Sequence, residues 1–597
     1  MLAQEVEKYM KLSLPRWDNT SGDLDGLLYF AQRLDEMLFN FSIDLYKAPV
    51  LNTHSLLVEY ISIYNNTEID NKYLSVVLEE LNDALAKDPV INKYWGKDNI
   101  VKVQNAFRSL PEKAKITLAE YLLHAFGETK YFSWCCEYAK WIVHQDNQKD
   151  RIEQALRCLV PELIGRGYSS QYIFHYNKKC LLKTDTPSID SFIDRFDCKK
   201  RTYKVYMTAE QRITTFSELL SERMGVIFKD DGNYKKFKHD DDYVFFHFDD
   251  IETYDDNGAS HIAFERVNLF LSFFTAVDNK IEPKFHDVAM VVEESASVPA
   301  FVSFGNSEYS VIEGMQIEEA SIYAERLITK LIKHARCSLP RLTKAVALHN
   351  NSLKSPDYSG GFLSLWSALE VLSLKSVGNN DLEQVTGTIL PILQLKYFQS
   401  VTNDFSKKLK GALQQESYER LLSKITVGDS EIEKTAAFIF LEEYGSLRNE
   451  YCKELSAYPV LRYRIHTLSD AAKEKKALLD TSEKYRKRVE WHLSRIYRTR
   501  NALVHSGAVP RNIRYLGEHL HFYLDLLMLE CFEKLSCGVQ FCELDNALLD
   551  SLLSCEILKK QLNSKDQLKS DDIQALIAPV FTKQDEFEYT CDCEEQT

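Results

Sequence analysis

The sequence predicts a multidomain, mainly α-helical protein, and two observations support this fold class. First, 597 residues exceed what one hydrophobic core normally serves, so we expect several packed units. Second, helical apolar spacing runs through residues 1–202 and 316–562, whereas β-type runs occupy residues 203–315. These patterns predict a helical N-terminal region, an α+β middle region, a C-terminal helical bundle, and an acidic, partly ordered tail over residues 563–597.

Representative segments show the contrast between the regions. Apolar residues recur every three or four positions in Leu74–Leu85 and in Ala114–Ala125, as in amphipathic helices. Three alternating or β-branched runs predict strands: Tyr243–Phe248, Asp287–Val292 and Ala300–Phe304. Asp- and Gly-containing segments at Asp230–Asn233 and Asp255–Gly258 are typical of the turns that bound such strands.

The composition predicts a folded cytoplasmic protein. An apolar fraction of 45% with few Gly and Pro residues is typical of packed globular domains. The first residues lack the pattern of a signal peptide, and no apolar run has the length of a membrane span. Thirteen cysteines, an odd number scattered along the chain, are typical of reduced thiols in the cytosol.

No metal or cofactor site is predicted from sequence spacing. The tight pairs Cys135/Cys136 and Cys591/Cys593 each lack the second Cys/His pair that zinc sites usually contain. The acidic clusters Asp240–Asp242 and His247–Asp250 offer carboxylates, but adjacent carboxylates more often crown a turn. We therefore expect a protein without a resident ion or cofactor.

The charge distribution points to one local basic segment. The whole chain carries a formal charge of −15, which opposes non-specific coating of nucleic acid. Residues 462–514 contain fourteen Lys and Arg against five Asp and Glu, a net of +9, so the remainder carries −24. This segment is either a nucleic-acid footprint or a solvated basic helix face.

Within that segment, a helix is predicted from about Lys484 to Val504. Its apolar stripe follows spacings of four, three, four and three: Val489, Leu493, Ile496, Arg500 and Leu503. Arg500 therefore lies at an otherwise apolar boundary, where a guanidinium needs a carboxylate or a phosphate. Glu370, the only charge in Phe362–Leu372, is the expected carboxylate, and a structural ion pair between two core helices is the alternative explanation.

Three polar side chains are predicted to converge near the end of this helix. Asn501 and His505 are four residues apart and share a face, and Arg498 precedes Asn501 by three residues. Ser506-Gly507 predicts that the helix ends just after His505. The C-terminus of a helix favours the protonated imidazolium, so His505 is a candidate acid or base.

These residue types fit metal-free cleavage of RNA. The RNA 2′-hydroxyl can attack the adjacent phosphate if protons are moved and the anionic phosphorane is stabilised. His505 can move the proton, while Arg500 and Arg498 can donate to the phosphate oxygens. DNA, which lacks that hydroxyl, would not react. The spacing alone is not specific, because Arg486 and His492 in the same chain also fit it.

The segment resembles the RNase motif of the HEPN superfamily, which is Arg, a polar residue, three or more further residues, and His. Arg500-Asn501-Ala502-Leu503-Val504-His505 matches this motif without a gap. Residues 345–349 followed by residues 362–370 look like the front half of the ApeA-like abortive-infection HEPN group, and the motif helix with residues 516–527 looks like its back half. The resemblance covers roughly residues 320–540.

The resemblance implies a HEPN helical bundle that dimerises to form a composite cleft and acts as a metal-independent endoribonuclease. The resemblance also implies that Arg500 and His505 are the catalytic pair, that Asn501 positions them, and that Glu370 is a supporting acidic residue. The chain departs from the family in a long insertion of about residues 379–478 between the two halves, which would add helices. The resemblance also implies that the N-terminal 315 residues, with residues 203–315 as a candidate sensor, sense a phage protein and restrain the toxin until it appears. The target RNA would be tRNA by analogy with other HEPN toxins.

Two other functions stay open at this point. A catalytically inactive HEPN module would use the same helices for dimerisation or RNA binding within a regulatory protein. The intact Arg-Asn-x3-His motif favours the active enzyme, because a degenerate module is expected to lose polar groups from costly positions. The third hypothesis is a scaffold or regulator that binds no nucleic acid. The acidic total charge favours it, and the basic segment disfavours it.

Overall fold

A computed structural model of the chain describes residues 14–17, 22, 24–38, 51–65, 72–228, 243–277, 284–286, 288–295, 298–303, 317–334, 337–355, 358–507, 513–536 and 543–578. Within these residues the protein is mainly helical, with one small antiparallel sheet in the middle region, as the sequence predicts. The predicted turn at Asp230–Asn233 lies outside the described residues.

The helices before the sheet are α1 (Asp25–Leu38), α2 (Thr53–Asn65), α3 (Lys72–Lys87), α4 (Pro89–Trp95), α5 (Lys97–Ser109), α6 (Glu112–Phe126), α7 (Glu128–Ile142), α8 (Lys149–Gly165), α9 (Ser170–Asn177) and α10 (Ile189–Asp194). The predicted helical segments Leu74–Leu85 and Ala114–Ala125 lie inside α3 and α6, so both predictions are confirmed. One apolar core joins these helices, because the face that each buries is built from residues three or four apart.

The middle region contains β1 (Arg201–Glu210), α11 (Ser217–Met224), β2 (Val226–Ile227), β3 (Tyr243–Thr253), α12 (Asp256–Val277), β4 (Val288–Glu293) and β5 (Ala300–Ser303). All pairings are antiparallel, in the order β2-β3-β1-β4-β5. Tyr206 of β1 lies opposite both His247 of β3 and Met290 of β4. The three predicted strands are therefore confirmed.

The segment predicted as a turn at Asp255–Gly258 begins a helix. The Asp255 carboxylate accepts hydrogen bonds from the amide of Gly258 and from the amide and hydroxyl of Ser169. This cap satisfies a backbone donor at the start of α12 and ties the sheet region to the N-terminal helices. Ala259, Ala263 and Val267 of α12 then pack into the core of the sheet.

The remaining helices are α13 (Ile317–His334), α14 (Leu339–Lys354), α15 (Tyr358–Leu372), α16 (Asp381–Leu395), α17 (Tyr397–Ala412), α18 (Gln415–Ser423), α19 (Glu431–Phe440), α20 (Gly445–Glu454), α21 (Pro459–Ala471), α22 (Lys475–Ser506), α23 (Ile513–Ser536), α24 (Leu544–Leu562) and α25 (Asp572–Ile577). They build two cores. The bundle core joins residues of α13 to α16 with α22, α23 and α24, and the other core joins the end of α16, α17 to α21 and the start of α22 with α24 and α25.

Two observations refine the predicted organisation of this half. The inserted segment was expected from residue 379, but Val385, Ile389 and Leu393 of α16 lie in the bundle core, and the second core starts at Leu395. Within the tail predicted to be partly ordered, α25 forms and buries Ile573 in the second core. Residues 579–597 lie outside the described residues, and the domain boundaries stay predictions.

No helix among the described residues is long and apolar enough to cross a membrane. The cysteines that the structure describes are free thiols. Cys135 and Cys136 lie on α7 within the N-terminal core, while Cys591 and Cys593 lie outside the described residues.

Candidate active site

The motif helix α22 runs for 32 residues and ends where the sequence predicts. Gly507 adopts the left-handed conformation with φ +63°, and its amide donates to the carbonyl of Leu503. A residue without a Cβ adopts this conformation without strain, so Gly507 ends the helix. His505 consequently lies in the last turn of α22. The helix begins at Lys475 rather than near Lys484, which extends it toward the second core.

The predicted apolar stripe of α22 faces the bundle core. Val489, Leu493 and Ile496 have no exposed surface, and Leu503 is buried as well. Arg500, on the same stripe, keeps 25% of its side chain exposed. The guanidinium is thus held at the boundary between the apolar core and solvent, as the spacing predicts.

Arg500 pairs with the predicted carboxylate. Its Nη2 lies 3.6 Å from Oε1 of Glu370 on α15, whose side chain is 20% exposed. The indole N–H of Trp366 donates to the same Glu370 oxygen, which fixes the carboxylate. Arg500 Nη1 also donates to Oδ1 of Asn501 at 3.1 Å. Glu370, Arg500 and Asn501 therefore form one connected polar group at the edge of the core.

The His505 side chain is exposed at the end of α22, and no hydrogen bond or ion pair joins this side chain to any other described residue. It is four residues from Asn501, which places the two side chains on neighbouring positions of one helix face. It is five residues from Arg500, so these two side chains project about 140° apart around the helix axis. Within a single chain, Asn501 bonds to Arg500 and lies one turn before His505, but Arg500 and His505 do not point to a common centre.

Arg498, the other residue predicted to converge there, is separated from this group. Its side chain is 7% exposed, and its Nη2 lies 2.6 Å from Oε1 of Glu59 on α2. Arg495 binds both carboxylate oxygens of Glu59 and also Glu80 on α3. The carboxylate is supplied by the N-terminal region, so Arg498 is engaged in a buried ion cluster rather than offered to a phosphate. We call Arg495, Arg498, Glu59 and Glu80 the interdomain ion cluster.

The pKa values of the two glutamates of the interdomain ion cluster are shifted in opposite directions. Burial acts to raise the pKa of Glu59, but Arg495 and Arg498 outweigh it and lower this pKa to about 2. Burial raises the pKa of Glu80, since only Arg495 bonds to it directly and Glu59 adds like charge. Glu59 is therefore the carboxylate that holds the two arginines of α22.

Acidic side chains from other parts of the fold neutralise much of the basic segment, residues 462–514, within the part of it that the structure describes. Acidic groups from other elements pair with Arg462 (Asp25), Arg464 (Glu36), Lys475 (Asp572), Lys487 (Glu79), Arg495 (Glu59 and Glu80) and Arg498 (Glu59). The net of +9 is consequently not an exposed basic patch. Within the motif, Arg500 is the arginine whose side chain is partly exposed to solvent at the edge of the bundle core.

The structure separates the two Arg/His pairs that fit the motif. His492 is buried. Its ring packs edge-on against the ring of His519, and its Nδ1 lies 3.1 Å from the hydroxyl oxygen of Tyr523. Burial, together with the charge of Arg495, lowers the pKa of His492 to about 3, so this imidazole stays neutral. Arg486 is engaged by Glu483 and Glu490. The pair Arg486/His492 is structural, whereas Arg500/His505 meets solvent.

A shallow depression of about 320 Å³ is lined by residues that include Val377, Gly387, Leu390 and Arg486. Arg486 precedes Arg500 by fourteen residues on the same helix, which is about 21 Å along its axis. This depression is therefore not part of the Arg500/His505 site.

The residues that could bind a metal ion in the structure are not those that the sequence offered as candidates. In the predicted cluster His247–Asp250, Asp249 pairs with Lys204, and Asp240–Asp242 lies outside the described residues. Among the described residues, the group with ligand atoms close enough for one ion is His349, His521 and Asp525. Sequence spacing could not reveal it, because His349 and His521 are 172 residues apart.

Comparisons of the chain with models of known protein families, with curated proteins and with solved structures returned no match. The resemblance to HEPN ribonucleases therefore stays a prediction from the sequence.

Proposed function

We propose that this protein is a metal-independent endoribonuclease of HEPN type that cuts RNA in anti-phage defence and causes abortive infection. The observation that carries the proposal is the placement of Arg500, held by Glu370 and Asn501 but still partly exposed, five residues before an exposed His505 at a helix end. An imidazole that solvent reaches can transfer the protons, and a guanidinium that solvent reaches can stabilise the anionic phosphorane, in cleavage by the RNA 2′-hydroxyl.

The roles follow from the chemistry of each group. His505 takes the proton of the attacking 2′-hydroxyl or gives one to the leaving 5′-oxygen. Arg500 donates to the non-bridging oxygens of the phosphorane, where negative charge accumulates. The ion pair with Glu370 is long at 3.6 Å, so a phosphate can compete for the guanidinium. Asn501 accepts from Arg500 and holds its plane.

The angle between Arg500 and His505 supports a site completed by a second copy of the chain. Side chains about 140° apart on one helix do not close on one phosphate, whereas two motif helices side by side can present His505 of one copy to Arg500 of the other. Apolar side chains that a second copy could cover are exposed near this helix end and on α13: Val504, Ile322, Ile328 and Ile332, each more than half exposed. The homodimer is therefore part of the proposal.

A mixing experiment tests the composite site. Arg500→Ala and His505→Ala proteins, each inactive alone, are denatured and refolded together. If the site joins Arg500 of one copy to His505 of the other, random dimers recover about a quarter of wild-type cleavage, because half are mixed and each has one intact site. If both groups must come from the same chain, the mixture stays inactive.

The N-terminal region is proposed to restrain the nuclease until a phage protein engages it. The support is direct contact with the motif helix: the interdomain ion cluster joins α2 and α3 to α22, and Arg498 is only two residues before Arg500. A partner that displaces α2 would release the charges that fix this part of α22. The ion pair between Arg500 and Glu370 does not involve α2, so it can persist when α2 is displaced.

The inactive HEPN module is the second candidate, favoured by the neutralised basic segment. The two candidates are separated by sequencing RNA ends from cells that express the wild type, His505→Ala or His466→Ala, where His466 is an exposed histidine of α21. The nuclease yields new ends with 2′,3′-cyclic phosphates, tRNA included, and toxicity in the wild type and His466→Ala only. New ends that persist in His505→Ala would reject the proposed catalytic role.

A further inference from the structure

Three potential metal ligands meet between α14 and α23, away from the motif residues. His349 lies on α14, and His521 and Asp525 lie one turn apart on α23. The Nε2 atoms of the two histidines are 2.7 Å apart, and their rings stack at 4.8 Å. His349 Nε2 lies 3.2 Å from Asp525 Oδ1, and His521 Nδ1 lies 3.6 Å from Asp525 Oδ2. One ligand atom from each residue falls within 4.8 Å of the other two.

The carboxylate of this cluster is buried. Asp525 is 3% exposed, and within the described part of the chain neither of its oxygens accepts a hydrogen bond, although both are shielded from solvent. A buried carboxylate is costly unless a charge or several donors compensate it. The two imidazoles and this carboxylate are close enough to bind one ion, because one ligand atom of each lies within 4.8 Å of the other two.

The cluster faces away from the motif helix. His519 and Tyr523 of α23 both contact His492 of α22. His521 follows His519 by two residues, about 200° around the helix, so it and Asp525 project from the opposite side. There they meet His349 of α14. The cluster is therefore distinct from Arg500 and His505.

We infer that His349, His521 and Asp525 bind one divalent first-row transition metal ion. Two imidazole nitrogens and one carboxylate oxygen are the donor set that Zn²⁺ and Fe²⁺ accept, whereas Mg²⁺ and Ca²⁺ prefer oxygen ligands. The His349 side chain is 15% exposed, so the ion can enter from that side and keep a water as its further ligand.

Binding changes the tautomer of one histidine. The 2.7 Å contact between the two Nε2 atoms requires an N–H on one of them, which donates to the lone pair of the other. A metal ion needs both Nε2 lone pairs, so the ring that carries this proton shifts to its other neutral tautomer, with the proton on Nδ1, and the rings move apart to about 3.3 Å, the separation expected for two Zn–N bonds. The ion then replaces the hydrogen bond as the link between α14 and α23 and compensates the Asp525 charge.

The inference does not depend on the nuclease proposal, and Zn²⁺ alone tests it. The full-length protein, free of any affinity tag, is stripped with a chelator and titrated with Zn²⁺ against a chromophoric competitor. We expect one Zn²⁺ per chain and a higher Tm with Zn²⁺ than without it. Co²⁺ should give the visible absorption bands of a low-coordinate nitrogen and oxygen site.

Variants locate the site. Asp525→Asn keeps the shape of the side chain but removes its charge, and His521→Ala removes one nitrogen, so each should weaken Zn²⁺ binding at least about tenfold. His466→Ala, which removes an exposed histidine elsewhere, should bind as the wild type does. Stoichiometric binding that Asp525→Asn and His521→Ala leave unchanged would overturn the assignment. A wild-type protein that takes up neither Zn²⁺ nor Co²⁺ would overturn it without any need for folded variants.

Discussion

The Arg500 guanidinium lies 3.6 Å from the Glu370 carboxylate, and solvent reaches both side chains. This ion pair joins α22 to α15 at the rim of the bundle core, with Trp366 and Asn501 as its further partners. A pair of this kind contributes little to stability, because solvent screens it and its geometry is loose. Its expected importance is positional, since it sets where the guanidinium is offered to a phosphate.

Glu370→Gln should therefore lower RNA cleavage more than it lowers stability. We expect a rate reduced roughly tenfold or more through misplacement of Arg500, with a loss of unfolding free energy below about 1 kcal/mol. Single-turnover cleavage and urea denaturation measure the two effects. Glu416→Gln, the same change at an exposed glutamate of α18, should alter neither. Equal losses of activity and stability would show that Glu370 serves the fold alone.

Glu59→Gln should destabilise the protein strongly. Arg495 and Arg498 would lose the carboxylate that holds them, and breaking a buried pair from one side typically costs about 3–5 kcal/mol. Urea denaturation should show this loss. The matched change Glu79→Gln removes a more exposed partner of Lys487 and should cost less than about 1 kcal/mol. Similar values for the two variants would contradict the interdomain ion cluster.

The same glutamate predicts an acid-dependent loss of stability. The pKa of Glu59 is lowered to about 2 in the folded state, below the value of an unfolded glutamate near 4.3. Its contribution is therefore present above about pH 4.3 and is lost as the pH falls toward 2. Over that window, the wild type should lose unfolding free energy more steeply than Glu59→Gln. Parallel curves would contradict the lowered pKa.

His492 predicts a second pH dependence, in a milder range. The unfolded imidazole binds a proton below about pH 6.5, whereas the buried one stays neutral down to about pH 3. The unfolded state thus binds more protons in this window, and stability falls by about 1.4 kcal/mol per pH unit as the pH decreases. Chemical denaturation between pH 6.5 and 5 should show a shallower slope for His492→Gln than for the wild type. An unchanged slope would contradict burial of a neutral His492.

Gly507→Ala tests the end of the motif helix. Apart from Gly507 and its two chain neighbours, no atom of the described residues lies within 4 Å of the position that a Cβ would take, so the expected cost is that of the left-handed backbone, about 1–2 kcal/mol. Asn tolerates this conformation better, so Gly507→Asn should lose less. Thermal unfolding compares the two. If Ala and Asn are equally tolerated, Gly507 does not fix the helix end that presents His505.

The sequence predicted features that depend on local pattern. Helical spacing located the buried face of α22, and the Ser506-Gly507 stop marked its end. The pairing of Arg500 with Glu370 was predictable because each is a charge in an otherwise apolar stripe, so each needs the other.

Long-range partners were not predictable in this way. Arg498 was expected beside Arg500, but its carboxylate comes from Glu59, 439 residues away in sequence. The basic segment was expected to remain exposed, because sequence shows charges without showing which distant acids approach them. The His349, His521 and Asp525 cluster depends likewise on how α14 packs against α23. Each of these features is decided by tertiary packing.

The rate of RNA cleavage by purified protein tests the catalytic role of Arg500 and His505 most directly. The wild type, Arg500→Ala, His505→Ala and the control His466→Ala are given the same RNA, and the same sequence as DNA, with a chelator present. We predict cleavage of RNA only, by the wild type and His466→Ala, with 2′,3′-cyclic phosphate ends. Undiminished cleavage by folded His505→Ala, or no cleavage by the wild type under conditions in which it is toxic to cells, would contradict the assignment.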